Sequence, residues 1–557
     1  MNTIKCLFTV KELDEIKKAN KDPEKIAKQL LLFKKGTPYL NVEKPAIVED
    51  GIRLMCHRKN ELKAIGETAI KNGIVCKFVP ASGAASRMFK PLVSFMDEKT
   101  KTTDEILKFT DCFFENLDKF PFYDELIRKH KNISQKPKSN SINQKEEISR
   151  INNKQQVNHD SNDNQETFST SKKRELIALL LEKEGLNYKN LPKALLSFHK
   201  YKNSTRTAIE EHLVEAALYT KDKDNQCRIS FTVSDEHLEE VNVLVNEVIS
   251  HYENCYDVHY LIDYSTQASN TDTIAVTPDN KPFRYNNDIL FRPAGHGALL
   301  ENLNNIKSPC IVIKNIDNVV PDSKKYITTD WKKTMIGLAV ELQEECNNHI
   351  KSLLITDCNK NITDCNKNKQ HNHSRDIQSE PAKLNNALTF LKSIAIRLPE
   401  GFIEWPKEDK QKLVLKLLDR PLRVCGMVKN QGEPGGGPFW VKDDKGNLSL
   451  QIVESSQIAP EGRIPLMNSG THFNPVDIIV IKQRYDGSLF NLEDYTDPSA
   501  VFISTKSIDG NELKALELPG LWNGAMANWN TIFLEVPIET FNPVKTVNDL
   551  LRPQHQN

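Results

Sequence analysis

Ile74-Val75-Cys76-Lys77-Phe78-Val79-Pro80-Ala81-Ser82-Gly83-Ala84-Ala85-Ser86-Arg87 is the stretch on which the fold turns. A short run with β-branched and aromatic side chains is stopped by a proline, and small residues follow. The pattern predicts a buried strand that ends in a tight loop. Small residues let a backbone come close to a phosphate, and successive N–H groups can point at it. Arg87 follows at once and can pair with phosphate oxygens. The same residues also suit an ordinary tight turn. No G-x-x-x-x-G-K-[ST] occurs, so the loop is not a P-loop.

Outward from this stretch, strands alternate with helices. Residues 91–132 read as helical. Arg228–Val233, Val258–Asp263 and Pro309–Ile316 read as strands, and Glu236–Ser250, Ala298–Asn305 and Trp331–Leu354 as helices. Such alternation predicts an α/β fold with a mixed, mostly parallel sheet flanked by helices. Residues 1–75 read as a largely helical N-terminal part. After residue 420 the strands Leu448–Val453, Asp477–Ile481 and Thr531–Val536 predict a β-rich C-terminal extension. Two stretches, 134–173 and 357–381, are rich in Asn, Gln, Ser, Lys and Asp, and they read as disordered insertions. The second contains the direct repeat ITDCNKN at 355–361 and 362–368. The expected division is therefore a helical region 1–75, a nucleotide-binding core 76–133 and 174–420, the two insertions, and a sugar-side part 421–557.

Composition narrows the function. Lys+Arg and Asp+Glu each total 75, and this neutrality argues against a chain built to coat nucleic acid. The 11 cysteines lack paired spacing and read as reduced thiols. No apolar run is long enough to span a bilayer, and the first 20 residues lack a signal-peptide pattern. A cytoplasmic enzyme without a membrane partner is expected. Cys358, Cys365, His371 and His373 could be drawn as a zinc site, but their spacing fits no usual zinc module.

Two further segments carry candidate chemistry. In Arg292-Pro293-Ala294-Gly295-His296-Gly297-Ala298 the glycines Gly295 and Gly297 flank His296, so that a planar base or sugar can lie against bare backbone. A helix-entry turn explains the run equally well. In Ile311-Val312-Ile313-Lys314-Asn315-Ile316-Asp317-Asn318 a buried strand delivers Asp317 at its C-terminal end, where open α/β sheets place ligands. A carboxylate there can hold Mg²⁺ against triphosphate oxygens, and an Asn/Asp turn is the plainer alternative.

Taken in order, these pieces resemble the UDP-sugar pyrophosphorylases. Their phosphate loop, approximately L-A-G-G-x-G-T-R-L, is similar to Pro80–Met88, with Gly83, Ser86 and Arg87 kept and two glycines replaced by Ser82 and Ala85. The resemblance implies a GT-A-like nucleotide-diphospho-sugar transferase fold. It assigns Ser82, Gly83, Ala84, Ala85 and Ser86 to the nucleotide phosphates and Gln267, Gly295, His296 and Gly297 to the nucleotide. The family's Pro-Lys pair looks like Pro192-Lys193, displaced by a helical segment and the first insertion, with Lys90 as the competing choice. Asn315–Asn318 looks like the family's N-x-D-N, which makes Asp317 a metal ligand, and Asp477 is a candidate second one. Glu454, Asn468 and Asn523 resemble sugar contacts. Phe541-Asn542-Pro543-Val544-Lys545 resembles a late element whose lysine, Lys545, reaches a phosphate. Gly432–Trp440 and Leu521–Met526 resemble a bacterial family catalogued as domain of unknown function 4301.

The implied reaction is attack of a sugar 1-phosphate on the α-phosphorus of a nucleoside triphosphate, UTP foremost, with Mg²⁺ and release of pyrophosphate. Arg87, Lys193 and Lys545 would supply cations. A non-catalytic nucleotide-sugar-binding protein and a GT-A glycosyltransferase are the alternatives.

Overall fold

The computed structural model describes residues 7–55, 57–97, 103–134, 168–267, 271–358, 380–432 and 435–557. Most of both polar insertions, and with them Cys365, His371 and His373 and the side chain of Cys358, lie outside the described residues. The chain divides into two compact units. One comprises Met1–Ala81, His212–Asn318 and Lys324–Phe541, and the other Ser82–Glu211, Val319–Ser323 and Asn542–Asn557.

The larger unit is built on a mixed sheet in the order Ile47–Val48, Gly51–Arg53, Asn530–Glu535, Leu422–Lys429, Asp477–Ile481, Cys310–Lys314, Val75–Pro80, Gln226–Val233 and His259–Thr266. Asp477–Ile481 runs against both neighbours. The other pairings along this path are parallel. The central strands are apolar almost throughout because helices cover both faces. All five residues of Cys310–Lys314 are buried, as are the first five of Val75–Pro80. The expected mixed α/β class, mostly parallel and helix-flanked, is the one observed.

The strand register fixes two edges. Lys314 pairs with Asp477, so the carboxyl end of one strand meets the start of the antiparallel one. Ile481 pairs with both Cys310 and Leu422, and Leu422 with Asn530, which marks the amino edge. On one face the helix Lys325–Cys358 packs against Lys59–Lys71. Glycine permits that approach: a Cβ on Gly337 would stand 1.7 Å from the Leu62 carbonyl, and one on Gly66 2.0 Å from that of Lys333.

The N-terminal part carries helices. Val10–Lys18 starts at a Thr9–Glu12 capping box, and Pro23–Lys35 at an Asp22 cap with proline in its first turn. It also carries strands that periodicity did not reveal. Asn41–Pro45 pairs with Gly436–Lys442, far along the chain. The C-terminal extension contributes the Gly436–Lys442/Leu448–Glu454 and Phe502–Ile508/Asn511–Glu517 pairs.

The smaller unit is mainly helical: Lys90–Met96, Asp104–Glu115, Tyr123–Ser134 and Thr170–Leu181. Phe113, Phe120 and Phe122 gather in its core, with Phe120 and Phe122 stacked at 5.1 Å. Thr170–Leu181 begins inside the stretch read as polar insertion. Ser169 caps it, and Leu176, Ile177, Leu179, Leu180 and Leu181 bury its later turns. The last residues of the chain also belong to this unit.

Candidate functional site

In the smaller unit, Gly83–Ala85 lies alongside Leu191–Lys193, more than a hundred residues later. The Lys193 amide donates to the Gly83 carbonyl at 3.2 Å, the Ala85 amide to that of Leu191 at 3.4 Å, and Ala84 bridges Pro192. The ammonium of Lys193 donates to the Val544 carbonyl at 2.7 Å, next to Lys545. The phosphate-loop candidate, the Pro-Lys pair and the late lysine element are thus brought together. Their side chains differ in setting: Lys193 is 8% exposed, whereas Ser86, Arg87, Lys90 and Lys545 are exposed. Ala85 is fully buried, so its methyl group points into the protein. A Cβ on Gly83 would meet nothing within 4 Å, which leaves room against that backbone.

In the larger unit, Asp317 follows the Cys310–Lys314 strand at the carboxyl edge and is 6% exposed. The Asn318 amide closes the turn onto the Asn315 carbonyl at 3.1 Å, and the Asn318 side chain donates to the Thr540 carbonyl. Two neighbouring strands end at the same edge in Val233 and Thr266. There the Ser234 hydroxyl, the Tyr264 hydroxyl and Gln267 Nε2 are buried without a hydrogen-bond partner among the described residues. Buried polar atoms are seldom left so.

In the Gly295–Ala298 turn one glycine meets a backbone conformation and the other a close packing contact. Gly295 has φ +72, and a Cβ on Gly297 would stand 2.5 Å from the Pro519 carbonyl. His296 is exposed, its ring 4.8 Å from that of Trp522. On the proposed sugar side, Asn523 Nδ2 donates to Glu454 Oε1 and Gln457 Oε1, both at 3.2 Å. Asn468 is exposed on the helix Pro460–Ser469.

Beneath Asp317 lies a charge network that sequence reading missed. Glu215, fully buried, accepts from Lys314 at 2.7 Å, from Lys77 at 3.1 Å and from the Tyr219 hydroxyl at 3.1 Å. Lys77 also donates to the His212 carbonyl at 3.0 Å. His212 Nε2 donates to the carbonyl of Ile316, the residue before Asp317, at 3.2 Å. That bond fixes the tautomer, and His212 Nδ1 is left without a partner among the described residues. Burial, helped by the Lys77 charge, holds the His212 imidazole well below its usual range. Burial likewise pushes Lys77 down to about 7 and lowers Lys314. Burial opposes the Glu215 charge, yet Lys314 and Lys77 hold this carboxylate well below its ordinary value. The readable signal was a lysine inside each of two apolar strand runs and a glutamate inside Leu213-Val214-Glu215-Ala216-Ala217.

Asp477, opposite Lys314 in register, is buried, and its carboxylate lies against the Lys332 ammonium. Its charge is thereby compensated. Among the described residues no three His, Cys, Asp or Glu side chains are placed to share a metal. Mg²⁺ commonly takes one or two carboxylates and completes its shell with phosphate oxygens and water. The residues present fit an ion held through Asp317 and a phosphate ligand, not a cage made by protein alone.

A family model described as domain of unknown function (DUF4301) matches residues 9–157 and 142–556. The chain belongs to this family. No curated protein matches it. Similar solved structures include the UDP-glucose pyrophosphorylase from Leishmania major, at 11% identity and a TM-score of 0.43, covering 99% of this chain and 78% of that one. Another is the uridine diphosphate N-acetylglucosamine pyrophosphorylase from Trypanosoma brucei in complex with inhibitor, at 10% identity and a TM-score of 0.45, covering 94% of this chain and 74% of that one. Among the described residues no helix is long and apolar enough to cross a membrane.

Proposed function

We propose that this member of the family is a nucleotidyltransferase that joins a nucleoside triphosphate, UTP first, to a sugar 1-phosphate. The observation that carries the reading is the carboxyl edge of the sheet. There the buried Asp317 follows one strand, and atoms of Ser234, Tyr264 and Gln267 without a hydrogen-bond partner among the described residues stand at the ends of two others. Open α/β sheets bind ligands at that edge. The order of the motifs supports the same reading, as does the pairing of the Gly83 loop with the Lys193 turn. A mostly parallel sheet in which Asp477–Ile481 runs against both neighbours suits the GT-A-type fold that belongs to this proposal.

In the proposed reaction an oxygen of the sugar 1-phosphate attacks the α-phosphorus, and the bond to the bridging oxygen of the departing pyrophosphate breaks. Such a transfer asks the protein for in-line positioning and for cations around developing negative charge. Arg87 and Lys193 are the proposed triphosphate contacts and Lys545 the proposed sugar-phosphate contact. Ser82, Gly83, Ala84, Ala85 and Ser86 are proposed for the phosphates, and Gln267, Gly295, His296 and Gly297 for the base. Glu454, Asn523 and Asn468 are proposed for the sugar. Mg²⁺ at Asp317 would neutralise triphosphate charge when bound.

A matrix of nucleoside triphosphates against sugar 1-phosphates, read by pyrophosphate release with Mg²⁺, tests the proposal. At least one combination turns over, and Asp317→Asn abolishes that turnover at unchanged melting temperature. Lys193→Ala lowers the rate by about 10²–10³, and Lys90→Ala far less. Tight nucleotide-sugar binding with no pyrophosphate from any combination would overturn the enzyme in favour of a binding protein.

A further inference from the structure

The turn that carries Asp317 has one movable peptide, and a buried histidine holds it. The Asn318 amide donates to the Asn315 carbonyl at 3.1 Å, which closes a turn with Ile316 and Asp317 at its central positions. The peptide that joins those two residues takes no part in the closing bond. Rotated as a plate, it carries its carbonyl from one side of the turn to the other and exchanges two common turn types. The rotated form puts the second central residue at positive φ. Asp317 is not at positive φ, so the unrotated form is present. Aspartate tolerates the left-handed region better than most residues, so sterics alone guard weakly against rotation.

His212 supplies the guard. Its Nε2 donates at 3.2 Å to the Ile316 carbonyl, the carbonyl of that same peptide. His212 is fully buried, so bulk water does not compete for the bond. The ring is itself held in register. His212 lies on the helix Ala208–Tyr219, three residues before Glu215. Glu215 accepts from Lys77 at 3.1 Å and from Lys314 at 2.7 Å. Lys77 donates as well to the carbonyl of His212 at 3.0 Å. Lys314 ends the strand from which the turn departs. One helix thus grips both the strand end, through Glu215, and the movable peptide, through His212.

We propose that His212 is a positioning residue for Asp317. It fixes the Ile316–Asp317 peptide, and with it the direction in which the Asp317 side chain leaves the backbone. The inference rests on the nucleotidyltransferase reading, in which Asp317 holds Mg²⁺ against the triphosphate. His212 acts there through the backbone, as an N–H donor to Ile316. Groups that orient a metal ligand typically change metal affinity by about 10–100-fold when lost.

The test is calorimetric titration of the full chain with UTP, in Mg²⁺ and again in EDTA. The quantity read is the gain in affinity that Mg²⁺ confers. Three variants separate the donor from the ring. In His212→Gln the amide nitrogen reaches as far as Nε2 did, in His212→Asn it falls short, and His212→Met has no donor. Gln should keep most of the gain. Asn and Met should each lose about tenfold of it, with UTP affinity in EDTA and the melting temperature near those of Gln. A gain that survives in Asn and Met, or that falls equally in all three, would overturn the assignment. So would an equal loss of affinity in EDTA, which would mark general damage to the site. A wild-type chain in which Mg²⁺ gives no gain, or Asp317→Asn leaves the gain intact, would sink the metal reading itself. Should Asn and Met both fail to fold, ¹⁵N-histidine spectra of the unsubstituted chain decide. The His212 Nε2 proton signal should shift when Mg²⁺ joins the UTP complex and stay in place in Asp317→Asn. A signal indifferent to Mg²⁺ in both would overturn the assignment.

Discussion

Glu215 and Glu211 stand four residues apart in the sequence, each fully buried itself and at the centre of a polar cluster, one in each unit. Glu215 is gripped by the ammonium groups of Lys77 and Lys314. Glu211 accepts from His199 Nδ1 and from the Tyr201 hydroxyl, both at 2.8 Å. His199 Nε2 lies 3.0 Å from Nδ1 of His555, two residues from the chain end, so one hydrogen lies between them. Arg206 adds its charge 3.6 Å from Glu211 and pairs with Asp322. The first cluster needs its carboxylate because, among the described residues, Glu215 is the acid that pairs with both buried lysines. The second is built on imidazoles, which can be neutral and can exchange donor and acceptor roles between two nitrogens. Two glutamates buried alike therefore stand in clusters unequal in what they tolerate.

The sharpest way to break this contrast is Glu215→Gln. It leaves two lysines buried around a neutral amide, and stranding buried charge costs about 3–5 kcal/mol. Urea unfolding at neutral pH should register that loss, and a change below about 1 kcal/mol would mean the lysines are already neutral in the folded state. Glu211→Gln should cost less, about 1–3 kcal/mol, the range for losing one side of a buried hydrogen-bond set. Equal losses at the two sites would remove the distinction drawn above.

A smaller effect separates the clusters by pH. Burial pushes the Lys77 ammonium down to about 7, whereas a lysine in the unfolded chain titrates near ~10.4. Between those values the folded state binds fewer protons than the unfolded state, so this group makes stability rise with pH. From pH 7 to 8.5, below the ordinary thiol range, the gain is at most about 2 kcal/mol. Lys77→Met should flatten that rise, while Glu211→Gln should leave it in place. A wild-type slope that survives Lys77→Met would assign the titration to another group.

The smallest effect expected is at the chain end. His555→Phe keeps a ring beside His199 but removes the nitrogen that faces it. It should speed amide exchange in residues 547–557 with a stability loss of about 1 kcal/mol. Unchanged exchange there would show that packing, not the histidine pair, holds the segment.

Much of this molecule was legible in its sequence because its signals are local. Val75–Pro80, Gln226–Val233, Cys310–Lys314 and Asp477–Ile481 announce themselves as apolar runs bounded by turn residues. The long helix Lys325–Cys358 does so by length and composition. Asp317 was readable from its place at a strand end. Asn41–Pro45 was not, because it exists only by pairing with Gly436–Lys442. Glycines 295 and 297 were read as room for a ligand or equally as a helix-entry turn, and the backbone at Pro519 lies beside Gly297.

The sequence by itself determined the alternation of strands and helices, the class of the sheet and the edge at which Asp317 stands, since periodicity and turn chemistry act over a few neighbours. Only the tertiary structure decided that Gly83 meets Lys193, that Glu215 neutralises Lys77 and Lys314, and that Asp477 faces Lys332. Those pairings join residues far apart along the chain. They arise because a buried charge or an unpaired amide must find whatever partner folding brings within reach.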